Sequence, residues 1–507
     1  MTKPYILGID LGTSSCKVVV VNNKGDIVSS TIDQYPTAYP FPSWAEQDPN
    51  LWWQVLKLSI KKAVGKSYIK FRDIVSIGID SQSSCLVAID KLGRSLCPAP
   101  IWTDRRSTKE CEWIKREVGE ELILKISKNR IDPSNIAPKI LWLKENKPEI
   151  YKKTWKFLHA NGYIIYKLTG IPSMDLSEGC LTQLFDGDED DWSSMLLDQH
   201  FIPRKLLPDV YPCHAVVGGV SKEAAKETGL KEGTPVIAGG MDCSMSALGA
   251  GVIEEKQAYV TAGTVTAIGV CSDKPIESPL FFCIRHVIPK KWLIVSGVDY
   301  GGAGLKWFKD KLITPFARER DLYRLLVEKM DGIPVGSDGL IFLPYMVGQR
   351  SPLWNNNTKG VIFGLSPDHG IGHFVRMVME GNAYALRNVV ELIESKTNYI
   401  EELRLLGGCT KVELWNQIFS DVIGKKILVS QQENTALSSA LLAGVGVGLI
   451  KNINEAVKMM KPLKEYSTNL ENKKLYDDLY SIFKKIFSNL LETFDSLAKL
   501  KSKNKFY

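Results

Sequence analysis

The chain has 507 residues, of which 44% are hydrophobic and 24% are charged, and its net charge is +7. This is ordinary globular composition, with enough apolar material for two or three domains. The dispersed basic residues do not indicate a nucleic-acid partner. The ten cysteines include no CxxC pair typical of a zinc site, and the longest apolar stretch near the end, residues 440–450, is too short to span a bilayer. We therefore expect a soluble cytoplasmic protein with reduced thiols and no membrane partner.

The first predicted element is a pair of strands, residues 6–9 and 18–21, joined by a turn at residues 12–15. By pattern alone this is a β-hairpin with a polar tip. The turn, Gly-Thr-Ser-Ser, also exposes backbone N–H groups beside hydroxyl groups, which is typical of a phosphate-binding nest. The GxxxxGK[ST] signature of a P-loop is missing. The candidate ligands are Asp10 for Mg²⁺ and, for phosphate, Thr13, Ser14, Ser15 and Lys17.

Strand-like runs such as SIGID and CLVAID then alternate with helical patterns such as NLWWQVLKLSIKKAV, which indicates an α/β fold. Asp48 and Pro49 are typical of a helix N-cap followed by proline at the first helical position. In the loop before them, Trp44 and Glu46 are candidates for a secondary role in a cleft. Asp242 lies between the apolar segment TPVIAGGM and the helical run CSMSALGAG, and this pattern alone favours a second N-cap.

The clearest internal echo joins LGIDLGTSSCKVVVV, at residues 7–21, to AYVTAGTVTAIGVC, at residues 258–271. Each places Gly-Thr between two apolar strands. Two unrelated hairpins are one explanation, but a duplicated domain explains the echo better, with two hydroxyl-bearing turns that face each other across a cleft. We therefore expect a boundary between Gly251 and Lys256, with domains at residues 1–252 and 253–507.

Several segments, taken together, resemble known proteins. GIDLGTSSCK resembles the first phosphate loop of the actin-like ATPase superfamily, which includes sugar kinases and chaperone ATPases. Further segments resemble the amino-terminal domain of the FGGY carbohydrate kinases, at residues 42–53, 101–107, 136–151 and 239–251, and its carboxy-terminal domain, at residues 300–310, 343–366 and 403–424. Because these segments keep the family order over nearly the whole chain, the protein is identified as a member of that family, most similar to the bacterial xylulokinases.

The resemblance implies two ribonuclease-H-like domains around a cleft, with sugar bound mainly by the first domain and ATP by the second. The implied reaction is ATP-dependent, Mg²⁺-dependent phosphorylation of a sugar hydroxyl, with a pentulose such as D-xylulose as the first candidate. Another ketose or polyol, such as D-ribulose or a glycerol-like molecule, stays open, as does an inactive sensor that retains the fold. A chaperone-like ATPase would need a peptide-binding domain, for which the matched segments leave little sequence. A homodimer is left open.

The resemblance also implies roles for single residues. Asp242 occupies the place of the family's catalytic base, and because a helix N-terminus stabilises the ionised form, we expect it to be a weak base. The segment LRLLGG predicts a strand that ends where a nucleoside can approach the backbone. At Val412, relatives often have Ser or Asn, so a polar contact to the nucleoside is in doubt. The residues expected at ATP are Thr264, Gly302, Lys306, Gly407 and Gly408.

The sugar is the least certain part. Residues 82–85, which we call the sugar loop, read Gln-Ser-Ser-Cys, where xylulokinases have Gln-Met-His-Gly and glycerol kinases have Gln-Arg-Glu. Ser83 and Ser84 are candidates for sugar contact, or they only shape the loop. Asp104 can accept hydrogen bonds from two neighbouring hydroxyls, or it forms a structural pair with Arg105 or Arg106. Cys243 replaces an Asn or Gln of relatives, so the sequence does not fix which sugar is bound.

Overall fold

A computed structural model describes residues 4–263, 265–298, 301–314, 322–349, 351, 353–429, 435–460 and 464–504. The described residues form two compact α/β units, each built from segments that are not contiguous in sequence. The first unit takes its residues from the ranges 1–253, 272–294 and 434–460, and the second unit from the ranges 254–271, 295–433 and 461–507. The boundary between residues 252 and 253 divides the chain by sequence position only, and the roles assigned to the two halves stay predictions.

Strands and helices alternate along the chain, as predicted. The strands are β1 Tyr5–Leu11, β2 Ser15–Asn22, β3 Ile27–Gln34, β4 Glu46–Gln47, β5 Ile74–Ser81, β6 Val87–Ile89, β7 Ala99–Pro100, β8 Lys156–Leu158, β9 Ser173–Asp175, β10 Phe185–Asp186, β11 Asp191–Trp192, β12 Asp209–Tyr211, β13 Val216–Gly219, β14 Pro235–Ile237, β15 Gly240–Met241, β16 Gln257–Ala262, β17 Thr266–Ser272, β18 Phe282–Arg285, β19 Trp292–Val298, β20 Ile341–Leu343, β21 Val361–Phe363, β22 Glu402–Leu406, β23 Lys426–Val429 and β24 Lys464–Tyr466. The helices are α1 Pro49–Ser67, α2 Thr108–Glu117, α3 Glu120–Ser127, α4 Ile136–Asn146, α5 Pro148–Lys153, α6 Ala160–Thr169, α7 Leu176–Gly179, α8 Ser194–Gln199, α9 Lys222–Thr228, α10 Asp242–Gly249, α11 Gly302–Phe308, α12 Leu322–Glu328, α13 Ile371–Glu394, α14 Glu413–Ile423, α15 Thr435–Gly446, α16 Ile453–Lys458 and α17 Leu470–Asn504.

The main sheet of the first unit runs in the order β3-β2-β1-β5-β14-β13, and β15 also pairs with β5. Strand β1 is antiparallel to β2 and parallel to β5. Because successive side chains of a strand point to opposite faces, Leu7 and Ile9 pack in the core that contains α1, whereas Ile6 packs in the core that contains α15. Burial on both faces explains why β1 reads as an almost continuous apolar run.

Two glycines allow α15 to lie directly on this sheet. A Cβ atom on Gly8 would lie 1.9 Å from the backbone oxygen of Ala436, and one on Gly78 would lie 1.9 Å from the backbone oxygen of Ser439. Neither distance is compatible with a side chain. The close approach brings the amino-terminal part of α15 against the carboxyl ends of β1 and β5, where the predicted metal ligand Asp10 lies.

The second unit repeats the topology of the first. Its sheet contains the order β19-β17-β16-β22-β23-β24. Strands β16 and β17 form an antiparallel hairpin, β22 is parallel to β16, and β23 is parallel to β22. The edge strand β24 is antiparallel to β23, as β13 is to β14 in the first unit. The sequence echo between the two Gly-Thr turns is therefore matched by an equivalent hairpin at the same place in each sheet.

Three smaller predictions can also be compared with the structure. The N-cap of α1 is confirmed, because Asp48 accepts a hydrogen bond from the backbone N–H of Asn50 at 2.9 Å and Pro49 is the first helical residue. All ten cysteines are free thiols. Among the described residues, no helix combines the length and the apolar character needed to cross a membrane.

Candidate active site

The turn between β1 and β2 is held from several sides. The backbone N–H of Gly12 donates to the carbonyl oxygen of Ser15 at 3.0 Å, and the hydroxyl of Tyr35 donates to the carbonyl oxygen of Gly12. The Nε1–H of Trp102 donates to the Thr13 hydroxyl oxygen at 3.0 Å. The hydroxyl hydrogen of Thr13 is then still available to a phosphate oxygen. Ser14 is exposed at the tip of the turn.

Asp10 lies at the carboxyl end of β1, between two groups that the strand register places beside it. In the antiparallel pair its partner is Lys17 of β2, and in the parallel pair its partner is Asp80 of β5. The two strands carry the same three residues at this place, Gly-Ile-Asp, at residues 8–10 and 78–80. The structure thus brings together the predicted residues Asp10 and Lys17 and adds a second carboxyl group, Asp80.

Burial raises the pKa of both carboxyl groups. For Asp10, hydrogen bonding from Thr435 and the charge of Lys17 oppose this effect. For Asp80, burial is again the largest cause, and the neighbouring Asp10 raises the pKa further. One oxygen of Asp80 accepts a hydrogen bond from Ser439 at 2.6 Å, whereas the other oxygen is buried and has no hydrogen-bond partner among the described residues. Such a pair gains stability from a nearby cation.

These two carboxyl groups fit a Mg²⁺ site in which a nucleotide supplies some of the ligands. Among the described residues, no group of three His, Cys, Asp or Glu side chains could hold a metal ion by itself. Mg²⁺, however, is usually bound through one or two carboxylates together with substrate phosphates. In the described part of the chain, the buried second oxygen of Asp80 has no hydrogen-bond partner, and its place next to Asp10 is consistent with such a shared site.

Asp242 is the first residue of α10 and directly follows β15, which pairs with β5 at Asp80 and Ser81. Its Oδ1 accepts a hydrogen bond from the backbone N–H of the next residue, Cys243, at 2.7 Å. An N-cap side chain would instead bond an N–H two or three residues further on, and the N-cap position is occupied by Met241. The N-cap interpretation of Asp242 is therefore wrong.

The expectation that Asp242 is a weak base is also wrong. Burial raises the pKa of its carboxyl group to about 7, and the charges of Glu178 and Asp10 contribute in the same direction. The hydrogen bond from the Cys243 N–H opposes this increase without cancelling it. The helix N-terminus thus has less influence than desolvation and two neighbouring acids. A pKa near 7 suits a group that accepts a proton at neutral pH.

Glu178, on α7, was not singled out in the sequence. It is fully buried, and its Oε2 lies 2.7 Å from Nδ1 of His159 and accepts the backbone N–H of Ser84 at 3.3 Å. Burial raises the pKa of Glu178, with a contribution from Asp175, and burial lowers the pKa of His159 to about 3. A proton in this pair therefore belongs on the carboxyl group, which can donate to a neutral imidazole.

The sugar loop is held through the backbone of Ser84. Ser84 has a φ of +55°, a left-handed conformation that residues other than glycine seldom adopt. Its N–H donates to Glu178, and its carbonyl oxygen accepts from Nζ of Lys139 at 2.6 Å. Lys139 also donates to the carbonyl oxygen of Ile101, and burial lowers the pKa of its ammonium group to about 8. Ser84 itself is buried, and Ser83 is partly exposed.

Asp104 is buried, and both its oxygens are engaged. Arg106 donates to them from Nε and Nη2, and the backbone N–H of Ala45 donates to Oδ2 at 2.7 Å. Arg106 also binds Glu46 at 2.8 Å and stacks on Trp44, its guanidinium carbon 3.7 Å from the ring centre. The structural pair with Arg106, one of the two alternatives for Asp104, is thus present. A sugar contact by Asp104 stays a prediction.

In the second unit, several residues predicted to bind ATP lie near the turn after β16. Thr264, which belongs to that turn, lies outside the described residues. The N–H of Gly302 donates to the carbonyl oxygen of Gly263 at 2.7 Å. Gly407, at the end of β22, has a φ of +98°, and a Cβ atom there would lie 2.8 Å from the carbonyl oxygen of Ala262. The neighbouring Gly408 is exposed, and the exposed Lys306, one turn along α11, forms an ion pair with Asp310.

Two family models match the chain. The amino-terminal domain of the FGGY family of carbohydrate kinases matches residues 5–249, and the carboxy-terminal domain of the same family matches residues 258–447. The chain belongs to the FGGY family of carbohydrate kinases. It is therefore a carbohydrate kinase, and membership of the family implies ATP as a substrate.

Curated and solved FGGY kinases align along nearly the whole chain. A xylulose kinase of Bacillus subtilis (strain 168) is 28% identical, with 96% of this chain and 97% of the relative covered. A gluconokinase of the same organism is 30% identical, with 96% of each chain covered. The crystal structure of ligand-bound xylulose kinase from Lactobacillus acidophilus superposes with a TM-score of 0.90 at 25% identity, covering 97% of this chain and all of that one.

The structure adds residues to the site that the sequence analysis missed. Asp80 had a signal, since IGID in β5 repeats the LGID of β1. Gln47, at the end of β4, had none. Its amide N–H groups donate to the carbonyl oxygen of Thr13 at 2.6 Å, and its oxygen accepts from Gln82 at 2.8 Å. Gln47 therefore links the turn between β1 and β2 to the sugar loop by hydrogen bonds. This link depends on the tertiary fold and has no signal in the local sequence.

Proposed function

We propose that this kinase transfers the terminal phosphoryl group of ATP to a hydroxyl group of an uncharged ketose, with D-xylulose as the first candidate. The observation that carries the proposal is Asp242, whose carboxyl group has a pKa raised to about 7 at the first turn of α10. A group that is half ionised near neutral pH can take a proton from an alcohol and release it again. The similarity to xylulose kinases supports the choice of sugar.

In this mechanism Asp242 orients the attacking hydroxyl and accepts its proton, while the turn between β1 and β2 positions the nucleotide. Phosphoryl transfer depends mainly on in-line positioning and on neutralising phosphate charge. The residues proposed to contact phosphate in the first unit are Thr13, Ser14, Ser15 and Lys17. Mg²⁺, when bound, supplies positive charge to the phosphates, and Asp10 would hold it with Asp80 beside it.

The second unit is proposed to bind most of the nucleotide. The short approach of Gly302 to Gly263 and of Gly407 to Ala262 supports this assignment, because it keeps the turn free of side-chain bulk. A backbone without side chains leaves N–H groups free to reach phosphate oxygens. The proposed contacts are Thr264, Gly302, Lys306, Gly407 and Gly408.

An uncharged sugar is favoured over a sugar acid by the charges around the base. Glu178 and Asp10 both raise the pKa of Asp242, so the surroundings of the base are acidic. The carboxylate of a sugar acid such as gluconate would need a cation there, yet Lys139 is already engaged with two carbonyl oxygens of the protein. Ser83 and Ser84 of the sugar loop, Asp104 and Cys243 are proposed to select the sugar.

The decisive experiment is a panel of acceptors in an ATP-consumption assay, with identification of the phosphorylated product. The panel contains D-xylulose, D-ribulose, glycerol and gluconate at equal concentrations, with and without Mg²⁺. We expect the highest kcat/KM with a ketopentose and no turnover without the metal. A preference for gluconate would overturn the argument from charge. Tight ATP binding with no phosphorylated acceptor would favour the inactive sensor. A cytoplasmic location and a homodimer stay predictions.

A further inference from the structure

The sugar loop is attached to two buried ionisable groups that lie on different helices. Glu178 of α7 accepts the N–H of Ser84, and Lys139 of α4 donates to the carbonyl oxygen of the same residue. Both side chains are almost completely buried. Burying a charged group for one backbone contact is costly unless the contact matters, since a hydrophobic residue would fill the same volume more cheaply. We call Glu178 and Lys139 together the Ser84 clamp.

The clamp holds a backbone conformation that is unfavourable by itself. The φ of +55° at Ser84 costs of the order of 1 kcal/mol for a residue with a Cβ atom. Such strain persists only where surrounding contacts over-determine the backbone, and it is concentrated at functional sites. Because N–H and C=O of Ser84 are both fixed, neither can rotate without breaking a bond to a buried ionisable group. The position of Ser83, the preceding residue of the loop, is fixed together with that of Ser84.

Glu178 also belongs to the surroundings of the base. Its neighbour Ser177 accepts the backbone N–H of Met241 at 2.9 Å, and Met241 immediately precedes Asp242. Among the acids near Asp242, Glu178 has the largest effect on its carboxyl group. The titratable groups that the structure describes around Glu178 or Asp242 are His159 before α6, Asp175 before α7, Lys139 on α4, Asp10 on β1, Asp80 on β5, Cys243 on α10 and Cys85 of the sugar loop.

We propose that Glu178 is a positioning residue that couples the sugar loop to the catalytic base, through its own hydrogen bond to Ser84 and through the hydrogen bond of its neighbour Ser177 to Met241, the residue before Asp242. The inference rests on the proposed function for the role of Asp242. Glu178 acts through its acceptor oxygen, so a variant that keeps this oxygen and a variant that removes it should differ.

Glu178→Gln removes the carboxyl group but keeps an oxygen that can accept the Ser84 N–H. In the wild type, Oε2 of Glu178 contacts both Ser84 and Nδ1 of His159, and a neutral imidazole that carries its hydrogen on Nδ1 can donate to the amide oxygen. We therefore expect amide exchange in the peptide that covers residues 82–85, and KM for the sugar, to stay within about twofold of the wild type. A residue that only fills the core would show no such rescue by the conservative variant.

Glu178→Ala removes the acceptor as well. Here we expect amide exchange in the peptide that covers residues 82–85 to become about tenfold faster, and KM for the sugar to rise by a similar factor, as suits the loss of a buried hydrogen bond to an ionisable group. The matched control is Glu110→Gln, a buried carboxyl group of the same unit, on α2, whose pKa is also raised by burial. It should leave loop exchange unchanged.

The exchange measurement needs no substrate, so it tests the clamp even if the acceptor panel finds no sugar. If Glu178→Ala does not fold, Lys139→Met releases the other end of Ser84 and should speed exchange in the same peptide. Exchange in Glu178→Gln as fast as in Glu178→Ala would mean that the acceptor oxygen does not hold the loop. Unchanged exchange in both Glu178→Ala and Lys139→Met would overturn the clamp. Activity of the wild-type protein on any member of the panel supports the proposed function independently.

Discussion

In the first unit, the hairpin turn after β1 is surrounded by side chains that fix it and set its charge. Trp102 and Gln47 hold Thr13, and the carboxyl groups of Asp10 and Asp80 lie at the ends of neighbouring strands. In the second unit, where Thr264 lies outside the described residues, two glycines approach the backbone beside the equivalent turn after β16. Gly302 bonds Gly263 through main-chain atoms, and Gly407 packs against a carbonyl oxygen.

Because of this difference, we expect substitutions to have different effects in the two units. Where side chains build the site, one substitution alters charge, hydrogen bonding and proton transfer, so the chemistry and the choice of sugar are open to change. Where backbone builds the site, almost any side chain is an obstruction, and the expected result is weaker nucleotide binding with unchanged chemistry. The predictions below test this division, from the largest expected effect to the smallest.

Asp242→Asn should have the largest effect. The amide keeps the size of the side chain but cannot accept the proton of the sugar hydroxyl, so we expect kcat to fall by roughly 10²–10⁴-fold. ATP affinity, measured by calorimetry, should be retained, because Asp242 belongs to the first unit. Near-normal turnover in this variant would remove Asp242 from the mechanism. Loss of ATP binding would instead show that the division between the units is wrong.

The wild-type pH profile follows from the same residue. Asp242 must be ionised to act as a base, and its pKa is raised to about 7. Activity is therefore complete above this pH and is lost as the pH falls through it, by about tenfold for each further unit. The measurement is kcat/KM for the sugar between pH 5 and 9 at saturating ATP and Mg²⁺. A limb near pH 4 would mean that burial and the neighbouring acids do not control this carboxyl group.

Sequence patterns could predict the elements whose signal is local. The two Gly-Thr hairpins and the cap at Asp48 carry their signal within a few residues, whereas the role of Asp242 as the base came from the family resemblance and stays a prediction. The environment of the base could not be predicted, because it depends on residues far apart in sequence. Glu178 lies 64 positions before Asp242 in the numbering, and its neighbour on the other side, Ser84, is 94 positions earlier again. The place of Asp242 at a helix N-terminus, taken alone, therefore predicted a lowered pKa for its carboxyl group, whereas its surroundings raise that pKa.

Gly407→Ala tests the second unit. The methyl group would lie 2.8 Å from the Ala262 carbonyl oxygen at a φ of +98°, so we expect a strain of about 1–3 kcal/mol. KM for ATP should rise about tenfold, while KM for the sugar stays constant. The control is Gly370→Ala, also in the second unit, where none of the described residues comes within 4 Å of the added atom. An equal rise of both KM values would contradict the separation of the two sites.

Val412→Ser should have the smallest effect, and it gives the second unit a side-chain contact that it lacks. Val412 is the N-cap of α14, with an extended backbone at φ −106° and ψ 100°, and it makes no side-chain cap hydrogen bond. Serine in this conformation can accept a backbone N–H of the first turn and so stabilise the protein by about 0.5–1 kcal/mol. Its hydroxyl would also supply the polar nucleoside contact that valine cannot make, so KM for ATP should fall about two- to threefold. Val412→Ala, which adds no polar atom, separates the hydroxyl from the loss of bulk. If serine raises stability but leaves KM for ATP unchanged, the start of α14 does not contact the nucleoside.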